Sequence, residues 1–501
     1  MKPWLEARAA LAPDQPALTL NGVTLTFGAL ASRARDAALR LRALGVREGD
    51  LVATLLPNGL PFVELVHALP LCGAALMPLN VRLTPRELAF QLEDARPALL
   101  VHAGGALAEN ARTAAPRDLR RVAVGPCDAP LLSGVAPAAR GTAALRDAID
   151  LEATGAILYT SGTTGTPKGA ELPFSSLLWS AIGSAFHLGV VPGERWLACL
   201  PLFHVGGLSI LVRSVLSGSE VVVHEQFSPR DVARSLVEER VGLVSLVPLM
   251  LERLLDAWGA HPAPSTLRCV LLGGAAAPKP LVERARALGF PIASTYGLSE
   301  AASQVATLPL HEVGLRADVV GKPLFCTEIR IADESGAALP PDTPGEILVR
   351  GPTLMRGYLR RPDETARTLR GGWLHTGDVG TLDAEGFLRV LDRRADLIVS
   401  GGENVYPAEV EAILLAHPDV AEAAVIGMPD SSFGQRVAAF IVPCDSGSAT
   451  DSDLERFCRE RLAGYKIPRA FHRLTELPRN ASGKILRRAL ADRFASAEAI
   501  R

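Results

Sequence analysis

Short apolar runs that alternate with stretches of helical period constrain most strongly what this chain can fold into. Four runs rich in Val and Leu have the sequences DLVATLL, ALLV, GLVSLV and LRCVLL, at residues 50–56, 98–101, 242–247 and 267–272. Flanking segments such as residues 30–44 repeat apolar side chains at helical spacing. Strands that alternate with helices indicate parallel sheets covered by helices on both faces. We therefore predict an α/β fold whose ligands bind beyond the carboxyl ends of the strands.

The pattern changes towards the carboxyl end of the chain and predicts further substructures. Residues 319–350 carry short alternating runs and turn signals, which are typical of antiparallel hairpins or a small barrel. The charged cluster DRRAD at residues 392–396 precedes a region that again mixes strands and helices. We predict an N-terminal domain over residues 1–393, with two helix-covered, mostly parallel sheets and a small β-barrel. Residues 394–501 are expected to form a smaller, mobile α+β domain.

Charge and cysteine content limit the partners and the compartment. The 501 residues include 52 Lys and Arg against 54 Asp and Glu, a net charge of −2, so no overall field favours nucleic acid. Seven scattered cysteines without a C-x-x-C pair favour a reducing compartment. The N-terminus lacks the apolar core of a signal peptide, and the longest apolar run, residues 68–79, is too short to span a membrane. We expect a cytoplasmic protein that acts on small molecules, with homo-oligomerisation left open.

The segment YTSGTTGTPKG at residues 159–169 has the composition of a phosphate-binding loop. Three glycines allow backbone turns that other residues resist, and exposed amides and hydroxyls can surround an anion. Lys168 adds a positive charge that suits phosphate. Pro167 before the lysine and Gly169 after it exclude a Walker A loop.

This loop resembles the signature loop of the adenylate-forming superfamily of acyl-CoA synthetases, luciferases and peptide-synthetase adenylation domains. Four further segments are similar to the superfamily's motifs and follow in the same order. They are YGLSE at 296–300, WLHTGD at 373–378, DRRAD with SGGEN at 392–396 and 400–404, and NASGK at 480–484.

The resemblance implies ATP, Mg²⁺ and coenzyme A as the small molecules bound besides a carboxylic acid. In this superfamily the acid attacks the α-phosphate to form an acyl-adenylate, and the thiol of coenzyme A then displaces AMP. Charge that gathers on phosphate oxygens calls for hydrogen-bond donors, a lysine and a metal ion. The expected phosphate contacts are Thr160, Ser161, Gly162, Thr163, Thr164 and Lys168, with Thr160 and Lys168 counted as catalytic.

The other motifs imply a nucleotide site and a catalytic lysine. Tyr296 would stack on adenine, and Glu300 would hold Mg²⁺ as a hard carboxylate ligand. Lys484 would bridge the attacking carboxylate and the phosphate. The remaining expected nucleotide and coenzyme A contacts are Gly274, Ala275, Thr295, Gly297, Ser299, Asp378, Arg393 and Gly402. Asp378 and Arg393 would bind the ribose hydroxyls, and Gly402 would line the pantetheine tunnel. Ala395 replaces the usual Asp or Lys at the domain hinge.

The acid substrate is indicated by residues outside these motifs. Residues 201–215 form an apolar segment interrupted by His204 and Arg213, and Gly207 lies between them. Burial of an unpaired arginine is costly, so either a structural carboxylate or a substrate carboxylate would satisfy Arg213. His204 and Arg213 can both face a ligand only if His204 precedes the helix. His204 resembles the family histidine that closes over the acyl group.

One branch of the superfamily is especially similar, the o-succinylbenzoate–CoA ligases of menaquinone synthesis. Residues 201–215, 265–280 and 294–308 carry this resemblance, and the continuation AASQVATL at 301–308 makes Ser303 a candidate substrate contact. A dicarboxylic aromatic acid would give Arg213 a role. The alternatives are an aryl- or medium-chain fatty-acid–CoA ligase, an adenylation domain that loads a carrier protein, and a nucleotide-binding regulator without activity.

Overall fold

The computed structural model describes residues 1–138, 144–161, 166–275, 277–316, 319–392, 397–444 and 448–478, with residues 485, 487, 489–491 and 494; the side chains of Ser161, Asp392 and Ala408 are not included. The chain folds into two compact units. The first comprises Met1–Val81, Leu92–Tyr159 and Gly169–Leu391. The second comprises Arg82–Gln91, Thr160–Lys168 and the described part of Asp392–Arg501.

A nine-stranded sheet in the first unit has a parallel centre. Its strands, in spatial order, are β15 (Lys322–Pro323), β14 (Ser303–Thr307), β13 (Ile292–Leu298), β12 (Cys269–Leu272), β11 (Leu243–Leu246), β9 (Arg195–Ala198), β10 (Glu220–Val223), β1 (Pro16–Leu20) and β2 (Val23–Thr26). The neighbours from β13 to β1 are parallel, and the outer pairs are antiparallel. Every residue of β12 is buried because helices cover both faces of the sheet.

A seven-stranded sheet is also mostly parallel. Its strands, in spatial order, are β18 (Gly357–Tyr358), β8 (Pro167–Pro173), β7 (Thr154–Ser161), β4 (Ala75–Pro78), β3 (Leu51–Leu55), β5 (Leu99–His102) and β6 (Arg120–Ala123). The neighbours from β7 to β6 run parallel, and β18 is antiparallel to β8.

A small antiparallel sheet of five strands completes the sheets of the first unit. It contains β16 (Glu328–Ala332), β17 (Gly345–Arg350), β19 (Leu369–Arg370), β20 (Trp373–Leu382) and β21 (Leu388–Asp392). The second unit has its own five-stranded sheet of β22 (Ile398–Ser400), β23 (Glu403–Val405), β24 (Val420–Asp430), β25 (Gly434–Pro443) and β26 (Ala470–Arg473).

Helices connect the strands. They are α1 (Trp4–Leu11), α2 (Phe27–Ala43), α3 (Leu60–Cys72), α4 (Pro85–Ala95), α5 (Ala106–Ala114), α6 (Phe174–Leu188), α7 (Val205–Ser217), α8 (Pro229–Glu238), α9 (Pro248–Trp258), α10 (Lys279–Ala287), α11 (Pro362–Thr368), α12 (Pro407–Leu415) and α13 (Asp451–Arg459). Helix α2 begins where the Thr26 side chain accepts a hydrogen bond from the backbone of Ala29, and Leu30, Ala34 and Leu41 share its buried face. No helix in the described ranges is both long and apolar enough to cross a bilayer.

The fold class predicted from the sequence is confirmed. The four apolar runs are β3, β5, β11 and β12, and the alternating region forms antiparallel strands. One boundary differs from the prediction, because β7 continues through Ser161, past the expected start of the loop at Tyr159. The Tyr159 hydroxyl donates a 2.7 Å hydrogen bond to Asp94 Oδ2, which ties this end of the strand to the adjoining structure.

Candidate active site

The β13–β14 hairpin brings the YGLSE motif beside Ser303. The pairing register shifts after Tyr296, and a Cβ at Gly297 would lie 1.9 Å from the Ser303 carbonyl oxygen, so only glycine fits there. Ala302 and Ser303 have φ values of 52° and 106°, which side chains other than glycine rarely adopt. Strained backbone of this kind is found preferentially at functional sites.

Tyr296 and Asp378, which are far apart in the sequence, form a buried pair. The Tyr296 hydroxyl donates a 2.6 Å hydrogen bond to Asp378 Oδ2. Asp378 lies on β20, and its backbone N–H donates to Thr376 Oγ1 at 3.1 Å. The structure thus places the expected adenine and ribose residues next to each other, with the phenol orienting the carboxylate.

Glu300 lies directly beyond β13, in the 3₁₀ turn Ser299–Ala301. Its carboxylate is buried and accepts a 2.9 Å hydrogen bond from the Tyr358 hydroxyl at Oε1. Its carbonyl oxygen accepts from the Met355 backbone at 2.8 Å. Sequence reasoning missed Tyr358, since the Gly-Tyr pair that forms the short strand β18 carries no motif.

A glycine turn lies beside the hairpin, at the end of β12. Gly274 has a φ of +82°, and a Cβ at Gly273 would lie 2.6 Å from Thr295 Cγ2. The Thr295 hydroxyl is 2.7 Å from Thr307 Oγ1, so it ties the hairpin strands together. Ala275 follows the turn and is half-buried. The absence of a side chain at Gly273 thus lets the turn pack directly against Thr295 of the hairpin.

Helix α7 carries the residues expected to bind the acid. His204 is exposed and occupies the N-cap position. It therefore precedes the helix, which is the condition under which His204 and Arg213 can both face one ligand. A Cβ at Gly207 would lie 2.3 Å from the Pro201 carbonyl oxygen, and the first turn therefore packs directly on the preceding segment.

Arg213 is buried on α7, and none of the described residues gives it an acidic partner. Within the described ranges, its polar contact is a 3.2 Å hydrogen bond from Nη2 to Ser303 Oγ, and Nε is unpartnered. Its Cζ lies 5.5 Å from the centroid of the Trp196 ring, within the range of a cation–π contact. Burial lowers the pKa of Arg213 to about 9. The guanidinium is therefore a donor held in the interior, and the described part of the chain supplies no counter-ion for it.

Two further side chains support this arginine and were missed by sequence reasoning. Trp196 Nε1 donates to Ser245 Oγ at 3.1 Å, which fixes the ring beneath the guanidinium. Ser209 Oγ lies 3.5 Å from Ser303 Oγ. A tryptophan in an apolar strand and a serine in a helix are ordinary core residues by sequence, so no signal distinguished them.

Much of the expected phosphate loop and the catalytic lysine lie outside the described residues. These are Gly162, Thr163, Thr164, Arg393, Ala395 and Lys484, together with the side chain of Ser161. Thr160 is half-buried on β7, and Lys168 is buried on β8.

Gly402 lies in the second unit, in the turn between β22 and β23. Gly401 and Gly402 have φ values of +62° and +85°, and Ser400 pairs with Glu403 across the turn. Two consecutive positive φ values are typical of a tight type I′ hairpin.

The donor set suits a nucleotide with its magnesium ion. Carboxylate oxygens at Asp378 and Glu300 match ribose hydroxyls and Mg²⁺, respectively. The described ranges contain no cluster of three acidic, histidine or cysteine side chains that could hold a metal by itself. A site with one carboxylate fits Mg²⁺, which is commonly completed by phosphate oxygens and water.

Parallel sheets, a glycine turn, a buried carboxylate beyond the end of β13 and a second one on β20 are typical of a nucleotide-binding α/β enzyme. Residues 5–359 match the family described as AMP-binding enzyme, and residues 409–484 match the AMP-binding enzyme C-terminal domain. The chain belongs to the AMP-binding enzyme family, as its resemblance to the adenylate-forming superfamily implied.

Two relatives are similar over nearly their whole length. A 2-succinylbenzoate–CoA ligase of Geobacillus kaustophilus is 44% identical over 490 residues, which cover 98% of this chain and 97% of the relative. A double mutant of the o-succinylbenzoate CoA synthetase of Bacillus subtilis, bound with a product analogue, is 41% identical with a TM-score of 0.91, covering 98% of both chains. Two other structures of that enzyme, with its acyl-adenylate intermediate and with ATP and magnesium ion, give TM-scores of 0.75 and 0.72.

Proposed function

We propose that this chain is a 2-succinylbenzoate–CoA ligase that acts in menaquinone biosynthesis. The reaction consumes 2-succinylbenzoate, ATP and coenzyme A and yields 2-succinylbenzoyl-CoA, AMP and diphosphate, through an acyl-adenylate. The full-length similarity to enzymes of that name supports the reaction.

The buried guanidinium of Arg213, which has no acidic partner among the described residues, is the observation that carries the choice of acid. An isolated buried charge is costly unless it is paired. The single carboxylate of a monocarboxylic acid reacts with the α-phosphate. A dicarboxylic acid has a second carboxylate that can bind Arg213. The second carboxylate of the substrate then becomes the counter-ion that the described protein residues do not supply.

Ser303 links this anchor to the nucleotide site. It accepts from Arg213 on one strand of the hairpin, and Gly297 and Tyr296 lie on the other strand. A substrate bound by Arg213 and Ser303 would therefore be held beside the hairpin that also carries nucleotide contacts. Such fixed placement of two reactants contributes to catalysis by proximity.

The nucleotide contacts follow from the described geometry and from the family motifs. Tyr296, Asp378 and the turn at Gly274 would hold the nucleoside, and Glu300 would hold Mg²⁺. When bound, Mg²⁺ neutralises charge on the phosphate oxygens. Further contacts proposed from the motifs are Thr160, Ser161, Gly162, Thr163, Thr164, Lys168, Ala275, Thr295, Gly297, Ser299 and Arg393.

The C-terminal residues would complete the reaction. Lys484 is proposed to bridge the attacking carboxylate and the α-phosphate. Gly402 is proposed to leave space for the pantetheine arm of coenzyme A, since any side chain there would narrow the path of the thiol. Residues 394–501 would form the mobile domain that carries both.

A cytoplasmic location is supported by the cysteines. All seven are free thiols in the structure, as a reducing compartment would keep them. Size-exclusion chromatography with light scattering would measure the oligomeric state in solution.

A screen of carboxylic acids with the purified protein tests the assignment. Pyrophosphate release is measured with 2-succinylbenzoate, benzoate and octanoate, with coenzyme A present and absent. We expect the highest kcat/KM with 2-succinylbenzoate and formation of its coenzyme A thioester. A higher value with benzoate or octanoate would contradict the choice of acid, and failure of coenzyme A as the acceptor would indicate a carrier-protein substrate.

A further inference from the structure

We propose that Asn58 is a positioning residue that fixes the segment leading to His204, and thereby the binding of the acid. The inference rests on the proposed function and deepens it by adding a residue outside all the family motifs. Asn58 lies in the loop between β3, a strand of the seven-stranded sheet, and helix α3. The segment that it holds, residues 200–204, follows β9 of the nine-stranded sheet.

The Asn58 side chain uses its amide in three hydrogen bonds. Its Nδ2 donates to the carbonyl oxygens of Leu200 and His224, at 2.9 and 3.0 Å. Its Oδ1 accepts from the Leu202 backbone N–H at 2.8 Å. Both hydrogens and the oxygen are therefore engaged, and this pattern fixes the orientation of the amide.

Burial makes these bonds specific to asparagine. Asn58 is 4% exposed, and Leu202 is fully buried, so water cannot readily replace the bonds. A carboxylate of the same shape would accept from Leu202 but would face two carbonyl oxygens with no hydrogen to donate. An alanine would leave all three backbone groups without partners.

The held segment is also clamped from its other side. The His204 N–H donates to the Pro201 carbonyl at 3.2 Å, and the missing side chain of Gly207 lets that same carbonyl pack on the first turn of α7. The ring of Phe203, which is buried, lies 4.6 Å from the ring of His204. Asn58 and Gly207 thus leave the segment before His204 with one conformation.

The hydrogen bonds of Asn58 affect the binding of the acid because the segment they hold leads into α7. His204 is the N-cap of the helix that carries Arg213, and both are proposed substrate contacts. Release of the segment would let His204 and the start of α7 move while the glycine turn and the Tyr296–Asp378 pair keep their own hydrogen bonds. We therefore expect Asn58 to affect the KM for the acid and not that for ATP.

The experiment compares Asn58→Asp and Asn58→Ala with Val232→Ala, which truncates a fully buried apolar side chain on α8. Initial rates of pyrophosphate release give KM for 2-succinylbenzoate and for ATP, and hydrogen exchange without substrate reports on the Leu202 amide. Both Asn58 variants should raise the KM for the acid by about tenfold and speed Leu202 exchange by at least about tenfold, with the KM for ATP changed less than about twofold. Val232→Ala should change neither the ratio of the two KM values nor the Leu202 exchange.

Asn58→Asp keeps the side-chain volume, so the same measurements can be made on it if Asn58→Ala does not fold. Equal increases in both KM values, or an unchanged KM for the acid, would overturn the positioning role. Unchanged exchange at Leu202 would overturn the clamp itself, whatever the activity. A wild-type protein without acid-dependent pyrophosphate release would instead refute the proposed function, and the exchange measurement would still decide whether Asn58 clamps the segment.

Discussion

The Tyr296 hydroxyl lies 2.6 Å from Asp378 Oδ2, so two residues from separate sheets form one buried unit. Tyr296 comes from the end of a parallel strand, and Asp378 comes from the small antiparallel sheet. The phenol orients the carboxylate, which is what the proposed contact of Asp378 with the ribose hydroxyls requires.

Tyr296→Phe should weaken ATP binding while the flat ring is kept. Hydrogen bonds to charged groups contribute about 1.5–3 kcal/mol, so the KM for ATP should rise by about tenfold or more. Initial rates at varied ATP with saturating acid measure this change. An unchanged KM for ATP would show that the phenol does not orient Asp378 for the nucleotide.

Tyr358→Phe should raise the Mg²⁺ concentration that adenylate formation requires. The Tyr358 hydroxyl is 2.9 Å from Glu300 Oε1, and the variant removes this hydrogen bond to the carboxylate. A titration of pyrophosphate release with Mg²⁺ should shift its midpoint upward by several-fold. The same midpoint in variant and wild type would contradict a metal role for Glu300.

Ser303→Gly and Ser303→Ala should separate backbone strain from substrate contact. The φ of 106° at Ser303 favours glycine, so Ser303→Gly should gain about 1 kcal/mol in the free energy of unfolding. Both variants lose the hydroxyl that accepts from Arg213 and should raise the KM for the acid. Denaturant unfolding and initial rates check the two effects, and a Ser303→Gly variant less stable than Ser303→Ala would refute the strain.

The stability of the first unit should fall in mild acid because of His67. Burial lowers the pKa of His67 to about 4, whereas its ordinary value is 6.5. Between these values the unfolded state binds a proton that the folded state does not, so the free energy of unfolding decreases as the pH falls through this window. The full effect is ~3 kcal/mol. Denaturant unfolding of wild type and His67→Leu at pH 4 to 7 tests this, and equal slopes would exclude His67 as the cause.

Local sequence patterns predicted the strands well but could not predict the contacts between them. The strands β3 and β12 are apolar except for Thr54, because both faces of their sheets are covered. The Tyr296–Asp378 bond joins residues from different sheets, which no local spacing encodes. Tyr358 and Asn58 carry no motif, and their roles depend on neighbours that only the tertiary structure supplies.

The residues that surround Arg213 could not be predicted from the sequence either. An arginine in an apolar helix allows either an acidic partner in the protein or one in the ligand. The structure places Trp196 and Ser303 around the guanidinium and no carboxylate from the described residues. That arrangement favours the ligand as the partner and underlies the choice of a dicarboxylic acid.

Arg213→Met, assayed with two acids, tests the central claim most directly. The acids are 2-succinylbenzoate and 4-oxo-4-phenylbutanoate, which keeps the keto-acid chain and lacks the ring carboxylate. The variant should lose about a hundredfold in kcat/KM with the first acid, the size expected for a buried charge pair, and less than about threefold with the second. Its free energy of unfolding should be unchanged or higher, since an unpaired buried charge is removed. Equal losses with the two acids, together with a destabilised protein, would contradict the account.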